Sequence, residues 1–232
     1  MINQMTINDR TLPSDVPVNI YSVMGVDEPW EDYDVYEDNV LVDRIRLMSH
    51  GNIDLSDTSL WKAYTSNGSP TSLPDDFIDD ENTVHSHDNL WICYDVPFSE
   101  VGDVNSYGLK AYISNNITDF ETRYLFGLFN PSENKYYGVI RNFNTTEFHI
   151  SLNGWVRDYI GDEIEDTMQC FAFHIDGYNN LYLTSPSGDR YTLSTEFTEY
   201  PELLDDYYFG IFIHSGGTVN LHSLIPVMEV LR

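Results

Sequence analysis

Apolar and polar residues alternate at every second position through the last third of the chain. The runs 170–175, 180–184, 190–194, 207–214 and 218–221 are each short and bounded by turn-forming residues. Successive side chains of a strand point to opposite faces, so this period of two predicts a meander of antiparallel strands with one face buried. The same rhythm runs upstream. Residues 90–96 form a strong strand pattern stopped by Pro97. In 109–114, Leu109, Ala111 and Ile113 fall on one face, and Lys110, Tyr112 and Ser114 on the other. Residues 123–129 are almost continuously apolar, as expected of a strand covered on both faces. Residues 136–143 and 147–152 flank Asn144-Thr145 and predict a hairpin. Helical signal is confined to 57–64, capped by Asp57 or Ser56, and to 198–206, where Pro201 limits it. The pattern predicts an all-β sandwich.

Residues 1–38 break the rhythm. They carry Pro13, Pro17 and Pro29, and seven acids with no base among the twelve residues 27–38. Proline lacks an amide donor and like charges repel, so both disfavour regular pairing. The expected organisation is an extended acidic arm or linker over 1–38 and a sandwich over 39–232. An edge strand with a long loop competes for the first segment.

Composition narrows the partners. Thirty-eight acids against eleven bases give a formal charge of −27. Such a field repels nucleic-acid phosphates and anionic membranes, and neither is expected as a partner. Cys93 and Cys170 each lie in an apolar run and match no zinc or redox spacing, so buried free thiols are expected. The first residues show no signal-peptide pattern, and no run reaches the roughly 18 apolar residues of a membrane helix. A soluble chain is expected.

From residue 124 to 230 the chain resembles the concanavalin A-like and laminin G-like lectin sandwiches. The resemblance is carried by Phe126-Gly127-Leu128-Phe129, by Tyr137-Gly138-Val139-Ile140-Arg141, and by Phe148-His149-Ile150-Ser151-Leu152-Asn153-Gly154-Trp155. Phe209-Gly210-Ile211-Phe212-Ile213 adds to it, with Ser215-Gly216-Gly217 before a final strand. It implies two curved antiparallel sheets in a jelly roll behind an N-terminal arm. It also places the chain nearest the branch found in bacteriophage fibre and capsid-attached proteins. The expectation that follows is a non-enzymatic structural component of a phage particle. Such a protein would be a homo-oligomer bound to other virion subunits, its sandwich facing cell-surface glycans or neighbouring subunits. A free-standing carbohydrate-binding lectin module and a sandwich-fold glycoside hydrolase are the alternatives.

A sugar presents an apolar CH face and a ring of hydroxyls, so its site needs an aromatic platform and planar polar groups. Trp155, after the Asn153-Gly154 turn, is the first candidate platform, followed by Trp91, Tyr112 and Tyr136. Arg141, His149, His174 and His214 are the polar candidates, assigned to the face opposite the core. Hydrolysis would need paired acids; Glu163 and Glu165 come nearest, but a solvated loop is the preferred reading there. His85 and His87 beside Asp88 form a weak metal pattern. No cofactor is expected. A structural calcium would sit in the acid clusters at 75–81 or 162–166, where surface acid is the simpler explanation.

Overall fold

The computed structural model describes residues 5–7, 10–12, 30–37, 40–49, 53–87, 89–101, 108–115, 123–142, 145–153, 155–162, 167–176, 178–215 and 219–230. For the strands before residue 50 and for residues 115, 215 and 228–230, it describes the backbone alone.

Two antiparallel sheets take in every described strand except those of one small hairpin. Sheet one runs, neighbour to neighbour, β13 (Trp155–Asp162), β12 (Glu147–Leu152), β11 (Lys135–Arg141), β10 (Arg123–Asn130), β17 (Tyr208–Ser215), β8 (Leu90–Pro97), β5 (Trp61–Thr65) and β6 (Pro70–Thr71). Sheet two runs β16 (Arg190–Ser194), β15 (Leu181–Thr184), β14 (Gln169–Ile175), β9 (Gly108–Asn115), β18 (Val219–Val230), β4 (Val40–Ser49) and β3 (Trp30–Glu37), with β7 (Val84–His85) also paired to β18. A separate hairpin joins β1 (Met5–Ile7) to β2 (Arg10–Leu12).

The alternation read from the sequence sets which side chains meet between the sheets. Tyr124, Phe126 and Leu128 of β10 and Phe209, Ile211 and Ile213 of β17 point inward from sheet one. Leu109, Ala111 and Ile113 of β9 and Phe171, Phe173 and Ile175 of β14 meet them from sheet two. Phe126 packs edge-on against Phe171, with ring centroids 4.7 Å apart. Burying a side chain of this size contributes about 1.5–3 kcal/mol, which makes this layer the main source of stability.

Two helical expectations are corrected, and the first segment takes its competing form over 30–37. There β3 pairs with β4 from Trp30↔Met48 to Glu37↔Val40, as an edge strand of sheet two. The rest of the expected arm over 1–38, apart from 5–7 and 10–12, lies outside the described residues. The expected helix over 57–64 is a single 3-10 turn, Thr58–Leu60. Asp57 does cap it, its carboxylate accepting from the Ser59 N–H at 3.1 Å, but β5 takes over at Trp61, whose ring is buried in the core. The second helical signal resolves into two 3-10 turns, Glu196–Thr198 and Pro201–Asp206. Cys93 and Cys170 are free thiols on different sheets, Cys93 buried and Cys170 only half-buried. Among the described residues no helix is long and apolar enough to cross a membrane.

Candidate functional site: an aromatic cleft on the outer face of sheet one

Sheet one carries a second apolar cluster on the face turned away from the core. Trp91 and Cys93 of β8, Leu125 and Phe129 of β10, Ile140 of β11 and Phe212 of β17 form it, with Tyr64, Tyr136 and Tyr208 packed around them. Strand register explains the grouping. Directly paired residues of an antiparallel sheet share a face. Ile140↔Leu125, Leu125↔Phe212 and Phe212↔Trp91 make one row across four strands, and Tyr136↔Phe129 and Phe129↔Tyr208 make another.

Between these rows lies Gly138↔Gly127↔Gly210↔Cys93. Three successive glycines leave a trough in the sheet surface, and the Trp91 indole lies across it. A Cβ at Gly210 would stand 3.1 Å from Trp91 Cε3 and 2.8 Å from Cys93 Sγ. Gly127 has φ +143°, a backbone conformation closed to other residues, and a Cβ there would strike the Tyr137 carbonyl at 2.5 Å. With the trough empty, Trp91 stacks on Phe129, centroids 4.3 Å and planes 8° apart, and leans on Phe212 at 5.2 Å and Tyr136 at 5.8 Å.

At one end of this cluster a cleft of about 430 Å³ opens. Trp91, Leu125, Tyr136 and Phe212 give it an apolar wall. Ser66, Asn89, Asn134, Asn153, Arg123 and His214 supply the polar groups. The three asparagines share a backbone feature: each has a positive φ, 62° at Asn89, 52° at Asn134 and 50° at Asn153. Asparagine tolerates this left-handed region better than other non-glycine residues, so it serves at tight turns between strands. Asn89 and Asn134 immediately precede β8 and β11, and Asn153 joins β12 to β13. Asn153 is further fixed on both sides of Tyr136: its Oδ1 accepts from the Tyr136 N–H at 2.9 Å, and its own N–H donates to the Tyr136 carbonyl at 3.0 Å. The Tyr136 hydroxyl shares a 2.7 Å hydrogen bond with Ser151 Oγ. The cleft therefore combines aromatic side chains with amide, guanidinium and imidazole groups, of which the Asn153 amide is held by Tyr136.

Of the residues expected to bind ligand, Trp91, Tyr136 and His214 meet at this cleft. The other three are elsewhere. Trp155 is 73% exposed at the start of edge strand β13, and its partner Leu152 packs toward the core, which puts Trp155 on the other face of sheet one. Tyr112 lies on sheet two, on the outward side of β9. Arg141 is fully buried; it pairs with Tyr124 and Phe148, both core residues, so it points between the sheets and not to solvent. Residues 136–140 are apolar on both faces, and periodicity alone could not orient their strand.

Among the histidines, His149 is on the outer face of sheet one but outside the cleft lining, its Nε2 3.1 Å from Glu147. His174 is buried on sheet two beside Thr184 and stacked on Tyr182. Sequence reasoning passed over Asn89, Asn134, Arg123, Leu125 and Phe212 as lining residues; an asparagine directly before a strand was the available signal for the first two.

In the 75–81 cluster, Asp79 serves local structure. Asp79 accepts from the Glu81 and Thr83 N–H groups, both at 2.9 Å, and meets His85 Nε2 at 2.9 Å. The backbone bond from Thr83, foremost among the groups that hold the charge, keeps the Asp79 carboxyl below its usual range. His85 Nδ1 is 2.8 Å from Asn220 Oδ1, so both its ring nitrogens are engaged within the fold. Among the described residues no three His, Cys, Asp or Glu side chains gather as a metal site. Glu163, Glu165, most of the 162–166 cluster and Asp88 lie outside the described residues.

Known structures confirm the architecture. No protein-family model matches the chain, and no curated protein sequence does. Solved structures match by shape. The endo-β-1,3-glucanase from Pyrococcus furiosus superposes with a TM-score of 0.52 at 9% identity, over 84% of this chain and 97% of that one. The CBM2 module of the evolved Dit of Lactobacillus casei BL23 phage J-1 gives 0.50 at 11% identity, over 81% and 98%. Alginate lyase A1-II' gives 0.49 at 11% identity, over 74% and 96%. The fold is a jelly-roll β-sandwich.

Proposed function

We propose that this chain is a non-enzymatic carbohydrate-binding sandwich that holds an oligosaccharide in the cleft on the outer face of sheet one. The observation that carries the reading is the lining itself: Trp91, Tyr136 and Phe212 beside three asparagines, Arg123 and His214. Aromatic faces take the CH side of a pyranose, and planar amides take its hydroxyls in pairs. A concave site with an apolar wall and a few fixed polar groups is the usual form of a small-ligand site. Among the described lining residues there is no pair of carboxylates of the kind most glycoside hydrolases place on either side of the ligand.

A glycan array with the wild type, Tyr136→Ala and Trp155→Ala tests this. Binding that is lost in Tyr136→Ala and kept in Trp155→Ala supports the reading; binding lost only in Trp155→Ala contradicts it. New reducing or unsaturated chain ends released from any polysaccharide would overturn the non-enzymatic part.

The finer reading is that the sandwich is carried on a bacteriophage particle, with copies of itself and other virion subunits as neighbours. The shared fold with the phage J-1 module supports it, as does a surface charge that keeps copies apart from nucleic acid. Mass spectrometry of purified particles tests it: the chain must co-purify with them rather than remain in the particle-free lysate.

A further inference from the structure

We infer that Tyr159 and His149 form an outer subsite for the ligand of the cleft, which is then an oligosaccharide running across the strands rather than a single sugar; the inference rests on the carbohydrate-binding reading above. Strand pairing places the subsite. Leu125 lines the cleft, and Leu125↔Ile140↔His149↔Tyr159 is one row across β10, β11, β12 and β13. Paired residues share a face, and Leu125 and Ile140 belong to the outer cluster, so His149 and Tyr159 stand on the outer face as well. Three strand spacings, about 14 Å, separate Leu125 from Tyr159. One pyranose ring does not reach that far, but a short oligosaccharide does. Tyr159 is 51% exposed, and its ring meets the His149 imidazole edge to face, centroids 5.9 Å apart. An exposed aromatic ring steadied by a neighbour is a platform for the CH face of a sugar. The backbone of β13 is irregular on both sides of this ring. Counting from Val156, which pairs with Ser151 on the outer face, unbroken alternation would turn position 159 toward the core. The register slips instead, which puts Tyr159 outward and Ile160 into the core. A second slip, ending at Gly161 with φ +134°, turns Asp162 outward opposite Glu147. Bulges of this kind re-aim side chains and are enriched at sheet edges and beside functional sites. Glu147 and Asp162 bring two exposed carboxylates to the same face, where they accept protons from sugar hydroxyls. They suit an uncharged, hydroxyl-rich sugar unit and repel an acidic one.

The experiment is calorimetric titration with three uncharged ladders, the laminari-, cello- and chito-oligosaccharides, each from disaccharide to hexasaccharide. In at least one ladder the affinity should rise about tenfold once the chain is long enough to reach β13. Tyr159→Ala should remove that rise while leaving the disaccharide affinity and the thermal midpoint unchanged, because the ring is exposed. Tyr159→Phe, which keeps the ring, should keep the rise. An affinity that does not grow with length, or a rise that survives Tyr159→Ala, overturns the outer subsite and leaves the carbohydrate reading standing. Failure of every member of all three ladders overturns both.

Discussion

Trp91 and Phe129 stack 4.3 Å apart with their planes within 8° of parallel, although they belong to rows of the sheet separated by a line of glycines. The sandwich thus has two aromatic layers: one between its sheets, the other on the outside of sheet one. The outer layer gives the cleft a rigid wall, because each ring is held by at least one other and by the strand beneath it.

Trp91 is only 3% exposed, so removing its indole should destabilise the fold as a core truncation would. Trp91→Ala is expected to cost about 3–5 kcal/mol in chemical denaturation. A loss below about 0.5 kcal/mol would show that the outer cluster is not packed.

Gly210→Ala tests the trough. The added methyl group would overlap Cys93 Sγ and crowd Trp91, and relief requires moving the indole off Phe129. A loss of about 1–3 kcal/mol is expected, with changed near-ultraviolet circular dichroism from the displaced indole. An unchanged spectrum and stability would mean that the trough has spare room.

Arg141 and Trp155 separate what the sequence revealed from what it concealed. Both were candidate ligand residues. Arg141→Ala should cost about 2–5 kcal/mol, because it empties a fully buried position between core residues. Trp155→Ala should change stability by no more than about 0.5 kcal/mol. The strands themselves were legible because their alternation is fixed by which face is buried. The orientation of 135–141 was not, since an apolar layer on each face removes the contrast that period-two reading depends on. The cleft was hidden for the same reason: Leu125 and Phe212 read as core, and the pairings that join them to each other and to Trp91 link residues far apart in the chain. The edge strand at 30–37 was obscured by its charges, which suit a strand open on one side as well as they suit a linker.

Alkaline stability reports on the rim of the outer cluster. Burial, with Cys93, Asp95 and Tyr208 nearby, pushes the Tyr64 hydroxyl up from 10.0 to about 12. Burial also raises Tyr207 in the core far above its ordinary value, with Tyr137 and Glu196 adding to it. A raised folded value favours the neutral phenol in the folded state. The stabilisation is complete below pH 10 and is lost as pH rises through the folded value. Unfolding free energy should therefore fall from about pH 10 to 12, and Tyr64→Phe should flatten that decline. An identical slope in the variant would contradict the burial of Tyr64.

The central claim is that an oligosaccharide sits in the cleft on the outer face of sheet one, against the half-buried Tyr136 ring that leans on Trp91, and the indole N–H signals of the four tryptophans test it most directly. On titration with a bound oligosaccharide, the Trp91 resonance should shift in a saturable way while those of core Trp61 and of Trp155 on edge strand β13 hold still. A shift confined to Trp155, with Trp91 unmoved at saturation, would place the ligand elsewhere and contradict the account.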